Sequence, residues 1–295
     1  MGGIALALVL FPLTGPAAPL GPGTHTVKLK HDGHDREMLV RLPETYDASR
    51  KYPVVFGFHG AGGPMKGYHR LLEALVKAKG VISVSPQGIS NARGITGWNG
   101  FSGHRISNTD DVGLVKKIVD HLDKQASIDR DRLYATGGSS GAIFCFRLAM
   151  ETDLFAAIAP MRGAMIKRPP LPMNRPRLSI LLVCGNEDPL FNGTGGTPRE
   201  VFYPAVETMG LWAANHGTTV KPEVVEDSET RSVTRFSSPD AAYELNLYAV
   251  KGEGHRLGRD RMRAALAYMG AFFERHPKFK VKPDRPPKPG KALPR

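Results

Sequence analysis

The chain has 295 residues, 41% of them hydrophobic, enough to bury one sizeable α/β core. Its net charge of +12 is uneven, because residues 275–295 hold eight Lys or Arg against one Asp; the remainder carries no nucleic-acid reading motif, so nucleic acid is not an expected partner. The two cysteines, Cys145 and Cys184, sit in apolar contexts that suit buried thiols, and neither has metal-ligand spacing with another Cys or a His.

Residues 4–10 form an apolar run followed by the small residues Gly15-Pro16-Ala17-Ala18, which reads as an export signal over 1–19. A basic n-region is missing, so a plain apolar extension or a misassigned start is the competing reading. The run is too short to span a bilayer, and a secreted or periplasmic location is the expectation. A hairpin over 25–42 turns at Asp32-Gly33. A strand over 54–58 then runs into His59-Gly60-Ala61-Gly62-Gly63, a loop of free backbone amides. A helix over 68–79 and a strand over 81–84 follow. Trp98 and Asn99 are candidates to line a substrate cleft, with core packing as the alternative for the Trp. Asp110 and Asp111 open a helix over 111–125, where they read as an N-cap and a charge complementing the helix dipole.

The strand over 132–135 ends in Gly137-Gly138-Ser139-Ser140-Gly141, and an apolar helical pattern follows. A Gly-x-Ser-x-Gly match alone is weak, since a chain with 33 Gly produces such turns by chance. Its place between strand and helix marks it as a nucleophile elbow, a sharp turn that exposes the Ser139 hydroxyl. The Ser140 amide, in the first helical turn, has no intrahelical partner and can face an oxyanion; an amide near Ala61 is the expected second donor.

Beyond a strand over 156–159, a strand over 178–183 leads to Gly185-Asn186-Glu187-Asp188-Pro189, a turn with two acids. A helix spans 204–216, where Trp212 reads as core. Strands near 223 and 245 precede Gly252-Glu253-Gly254-His255, and a helix covers 261–274. The order Ser139, Asp188, His255 is that of an α/β-hydrolase triad. Asp188 would fix the tautomer of His255, and His255 would take the Ser139 proton. Glu187 competes as the acid; Pro189 and the shorter side chain favour Asp188. His59 is a candidate beside the substrate, although an orienting role in the oxyanion loop suits it better. Asn192-Gly193-Thr194 is a glycosylation sequon only in a eukaryotic secretory setting, and otherwise a turn.

With these residues in place, the stretch from about 24 to 274 resembles the secreted polyhydroxybutyrate-depolymerase and feruloyl-esterase-like α/β-hydrolases. The resemblance rests on His59–Gly63, Ser85-Pro86-Gln87-Gly88 with Trp98-Asn99, Asp110-Asp111-Val112-Gly113, the Ser139 elbow, Gly185–Pro189, Leu211-Trp212-Ala213-Ala214-Asn215 and Gly252–His255. It implies a mainly parallel sheet flanked by helices and a serine esterase that needs no cofactor. This chain has Ser140 and Ala142 where family elbows often have Asn or Ala and then Gly, and Arg256-Leu257-Gly258 where Trp-Pro often follows the His. The second departure bears on the substrate, since the missing aromatic would lie beside the catalytic His. A peptidase of the same fold and a non-catalytic binding protein are the alternatives. The Pro-rich basic tail over 275–295 reads as disordered, either a solvated end or an attachment to an anionic polymer or membrane surface.

Overall fold

The computed structural model describes residues 18–100, 106–167, 177–195, 201–218 and 220–278. Strands β1 (Gly23–His31) and β2 (His34–Leu42) form the expected hairpin, in register from Gly23↔Leu42 to His31↔His34. Asp32 (φ 51°) and Gly33 (φ 73°) both take the left-handed backbone that a two-residue turn needs to match strand twist. The chain continues through β3 (Tyr52–Phe58), α1 (Met65–Lys79), β4 (Ile82–Pro86), the short pair β5 (Ile89–Ser90) and β6 (Thr96–Gly97), and α2 (Asp111–Leu122). Then come β7 (Ile128–Gly138), α3 (Ser140–Glu151), β8 (Ala157–Met161), β9 (Ser179–Gly185), α4 (Ala205–Asn215), β10 (Glu223–Asp227), β11 (Arg231–Arg235), β12 (Leu245–Val250) and α5 (Arg259–Arg275).

Ten strands form one sheet in the order β1-β2-β4-β3-β7-β8-β9-β12-β11-β10. The central block from β4 to β12 is parallel, and the hairpins at its two edges are antiparallel. Every residue of β4, β8, β9 and β12 is buried, as strands covered on both faces require. Alternation along β9 sends Ile180, Leu182 and Cys184 into the layer beneath α2, α3 and α4, while Leu181 and Val183 enter the layer beneath α1 and α5. The chain therefore has the α/β-hydrolase architecture expected from its sequence.

Two expectations change. Strand β11 was missed because only Val233 of its five residues is buried, which leaves no run of apolar residues to read. The expected tail boundary at 275 falls too early: Arg275 ends α5, His276 is buried with Nδ1 2.7 Å from the Phe272 carbonyl, and Lys278 N–H donates to the Asp131 carbonyl. The rest of the tail and the export-signal segment up to residue 17 lie outside the described residues. Among the described residues no helix is long and apolar enough to cross a membrane.

Candidate active site

At the end of β7, Ser139 takes φ 55° and ψ −117°, a strained backbone for a residue with a Cβ, worth about 1–3 kcal/mol. Two close approaches hold it there. A Cβ on Gly137 would stand 2.4 Å from the Gly141 carbonyl oxygen, and one on Gly141 would stand 2.1 Å from the Phe58 carbonyl oxygen. Only glycine lets strand, helix and the end of β3 meet at these spacings. The Ser139 amide donates to the Met161 carbonyl at 3.0 Å, tying the elbow to β8.

The loop after β3 lies against this elbow. A Cβ on Gly60 would be 3.2 Å from the Gly138 carbonyl oxygen and 3.5 Å from Ser139 Cβ. Ala61, the next residue, is exposed, and neither its amide nor that of Ser140 donates to another described residue. Among the described residues, these two N–H groups beside the serine thus have no acceptor.

His59 is buried. Gly88 N–H donates to its Nε2 at 2.9 Å, which makes Nε2 the acceptor and puts the proton on Nδ1, 2.8 Å from the Gly60 carbonyl. Burial pushes the His59 pKa below the ordinary imidazole value, against the opposing pull of the Gly60 carbonyl and the Asp111 charge. The ring therefore pins the Gly60 loop, and the structure gives it no surface for substrate.

Trp98 is also corrected. It is fully buried, its Nε1–H donates to the His59 carbonyl at 2.8 Å, and its ring stacks on Phe144 at 5.3 Å and meets Phe58 edge-on. It packs beneath the loop and does not line a cleft. Asn99 is tied up in the same way: its N–H donates to Asp111 Oδ2 at 2.7 Å and its Nδ2 to the Thr109 carbonyl at 2.9 Å. Asp110 caps α2 by accepting from Gly113 N–H at 2.8 Å, as expected. Asp111 does more than complement a dipole, because it forms a buried ion pair with Arg36 at 2.8 Å.

On the other side of the elbow, Asp188 and His255 meet. Asp188 is fully buried; its Oδ2 is 2.8 Å from His255 Nδ1, and its Oδ1 accepts from Leu190 N–H at 3.0 Å. The His255 side chain is 42% exposed, which leaves a face open to a reactant. A Cβ on Gly185 would stand 2.0 Å from the Glu253 carbonyl oxygen, so the His255 loop presses onto the end of β9 just before Asp188. Glu187 is exposed and meets this loop only through its amide, which donates to the Glu253 carbonyl. Cys184 and Cys145 are buried, and burial pushes the Cys184 thiol up to about 12. Neither suits a nucleophile.

Sequence reasoning missed Arg162 and Tyr68. Arg162 follows β8 with φ 54°, and its N–H donates to the Val183 carbonyl at 2.7 Å. Its guanidinium and the Tyr68 hydroxyl crowd the backbone one residue before Ser139. No turn motif in the sequence marks Arg162 as a residue that turns left-handed, as Asp32-Gly33 and the elbow mark Asp32 and Ser139.

No protein-family model matches the chain. In sequence it is 27% identical over 195 residues to a protein from Aspergillus oryzae described as "Probable feruloyl esterase C", covering 63% of this chain and 64% of that protein. The chain thus spans less than two thirds of the length of the curated relatives it matches first. In structure it is similar to an acetyl xylan esterase from Aspergillus awamori, with TM-score 0.62 and 16% identity over 86% of this chain and 99% of the other. It is also similar to LpqC, a poly(3-hydroxybutyrate) depolymerase from Bordetella parapertussis, with TM-score 0.57 and 15% identity over 88% and 92%. The chain accordingly has the α/β-hydrolase fold, its sequence is similar to feruloyl esterases, and a polyhydroxybutyrate depolymerase is among the structures that share the fold.

Proposed function

We propose that the protein is a serine carboxylic-ester hydrolase that works through Ser139, His255 and Asp188. Ser139 Oγ attacks the ester carbonyl carbon while His255 Nε2 takes its proton, and Asp188 holds the imidazole and stabilises the imidazolium that results. The Ala61 and Ser140 amides receive the oxyanion. Collapse breaks the bond to the alkoxide, which leaves as an alcohol with the proton from His255. Water, deprotonated by His255, then attacks the acyl-serine; the acid departs and Ser139 regains its proton. Ester and water balance the products, so the reaction calls for no cofactor.

The observation that carries this reading is the strained Ser139 backbone, maintained by two glycines that no other residue could replace without moving the main chain. Names of relatives point to feruloyl or acetyl esters as first substrates to try. Export is supported by the apolar run over 4–10. Attachment to an anionic surface through the basic stretch beyond 278 would show as salt-sensitive retention lost on its removal.

The test is Ser139→Ala. Turnover of p-nitrophenyl acetate should fall at least about 10⁴-fold with the circular-dichroism spectrum unchanged. Turnover near wild type in the purified variant would overturn the assignment.

A further inference from the structure

Arg162 stands apart in its surroundings. Among the described residues no carboxylate pairs with it, and its electrostatic neighbours are the Tyr68 phenol and the Cys184 thiol. Its Nε is fully covered and unpartnered, the covered Tyr68 hydroxyl has the Arg162 guanidinium as its neighbour, and the residue as a whole stays partly exposed. The two groups converge. A Cβ on Gly138 would stand 2.5 Å from Arg162 Nη2 and 2.7 Å from Tyr68 Oη. That point lies one residue before Ser139, at the C-terminal edge of the parallel strands where the Gly60 loop, the Asp188 turn and His255 also gather. Covering a guanidinium Nε–H without an acceptor is costly, and so is left-handed backbone at a non-glycine position; here both fall on one residue beside Ser139.

We propose that Arg162 and Tyr68 form an anion subsite that receives a carboxylate carried on the acyl portion of the ester, so that the enzyme favours monoesters of short dicarboxylic acids. This rests on the proposed serine-esterase reading. A guanidinium fork matches a carboxylate in two parallel hydrogen bonds, and the phenol supplies a further donor. Successive Cα atoms are about 3.8 Å apart, so a carboxylate bound beside Gly138 suits an acyl chain of only a few bonds between it and the carbonyl that Ser139 attacks.

Methyl hydrogen succinate and methyl butyrate present similar acyl chains, ending in a carboxylate and a methyl group. The ratio of their kcat/KM values, read by methanol release, should favour the succinate in wild type and shrink as salt is raised. Arg162→Met keeps the stem of the side chain and should lower that ratio about tenfold to a hundredfold, chiefly through KM for the succinate. Tyr68→Phe should lower it less, and Arg162→Lys should retain part of it. Calorimetric binding of methyl hydrogen succinate to the Ser139→Ala protein, weakened to the same extent by adding Arg162→Met, gives a readout independent of turnover. A wild-type ratio near one, or an equal loss on both esters in Arg162→Met, would overturn the subsite while leaving the serine reading intact. Methanol release undiminished in Ser139→Ala would refute both.

Discussion

Asp188→Asn separates a positioned acid from a nearby one. Asp188 Oδ1 accepts from Leu190 N–H at 3.0 Å, so the amide oxygen of an asparagine stays on that side and its Nδ2 turns toward His255 Nδ1, 2.8 Å from the present Oδ2. A donor facing Nδ1 forces that nitrogen to be bare and moves the ring proton to Nε2, the atom that accepts the Ser139 proton in the proposed mechanism. The substitution also removes the negative partner of the imidazolium, and a hydrogen bond between charged groups is worth about 1.5–3 kcal/mol. That alone is about one to two powers of ten, and the wrong tautomer adds to it, for a total of about 10³- to 10⁴-fold in kcat, or about 4–5.5 kcal/mol. Glu187→Gln changes an exposed carboxylate and leaves the amide bond to the Glu253 carbonyl in place, so its effect should stay within about threefold. Steady-state hydrolysis of p-nitrophenyl acetate by both purified variants decides the matter. If Glu187→Gln is the more damaging, or if Asp188→Asn costs less than tenfold, the assignment of the acid is wrong.

Gly141→Ala should destabilise the protein by at least about 1–3 kcal/mol in urea unfolding, because the new Cβ meets the Phe58 carbonyl oxygen at 2.1 Å and the backbone must give way. Trp98→Ala should cost about 3–5 kcal/mol in the same measurement, since it empties a fully buried site between Phe58 and Phe144; a change below 1 kcal/mol would restore Trp98 as a surface residue. Glu244 is held at a pKa of about 2, first by the His276 imidazole 3.6 Å away and then, against desolvation, by the hydrogen bond it accepts from Arg275 at 3.0 Å. A depressed carboxylate adds stability that is full above its unfolded value of about 4.3 and is lost as pH falls through the folded one. The stability gap between wild type and Glu244→Gln should therefore hold at neutral pH and close between about pH 4.5 and 2; a gap independent of pH would show that the charge contributes nothing.

What was legible in the sequence depended on whether the structure demands a particular residue type or only a particular facing. The elbow was readable because the meeting of β7, α3 and the end of β3 admits nothing but glycine at 137 and 141, and the hairpin because Asp32 and Gly33 can turn left-handed where bulkier residues resist. The pairing of Asp188 with His255 was anticipated from order and from Pro189, and its burial against the exposure of Glu187 gives the preference a physical basis. Trp98, Asn99 and His59 stood close to the right loop in sequence, yet each turns inward: a residue type says little about whether a loop side chain faces the cleft or supports the loop from below. Donors settle the matter here, since the Trp98 Nε1–H, the Asn99 amides and His59 Nδ1–H all find protein acceptors and are not free for a ligand, although the covered Asn99 Oδ1 has no partner. Arg162 is the converse. Nothing in its neighbours announces it, but its covered Nε finds no acceptor among the described residues, and that deficit is where specificity for an anion can be built.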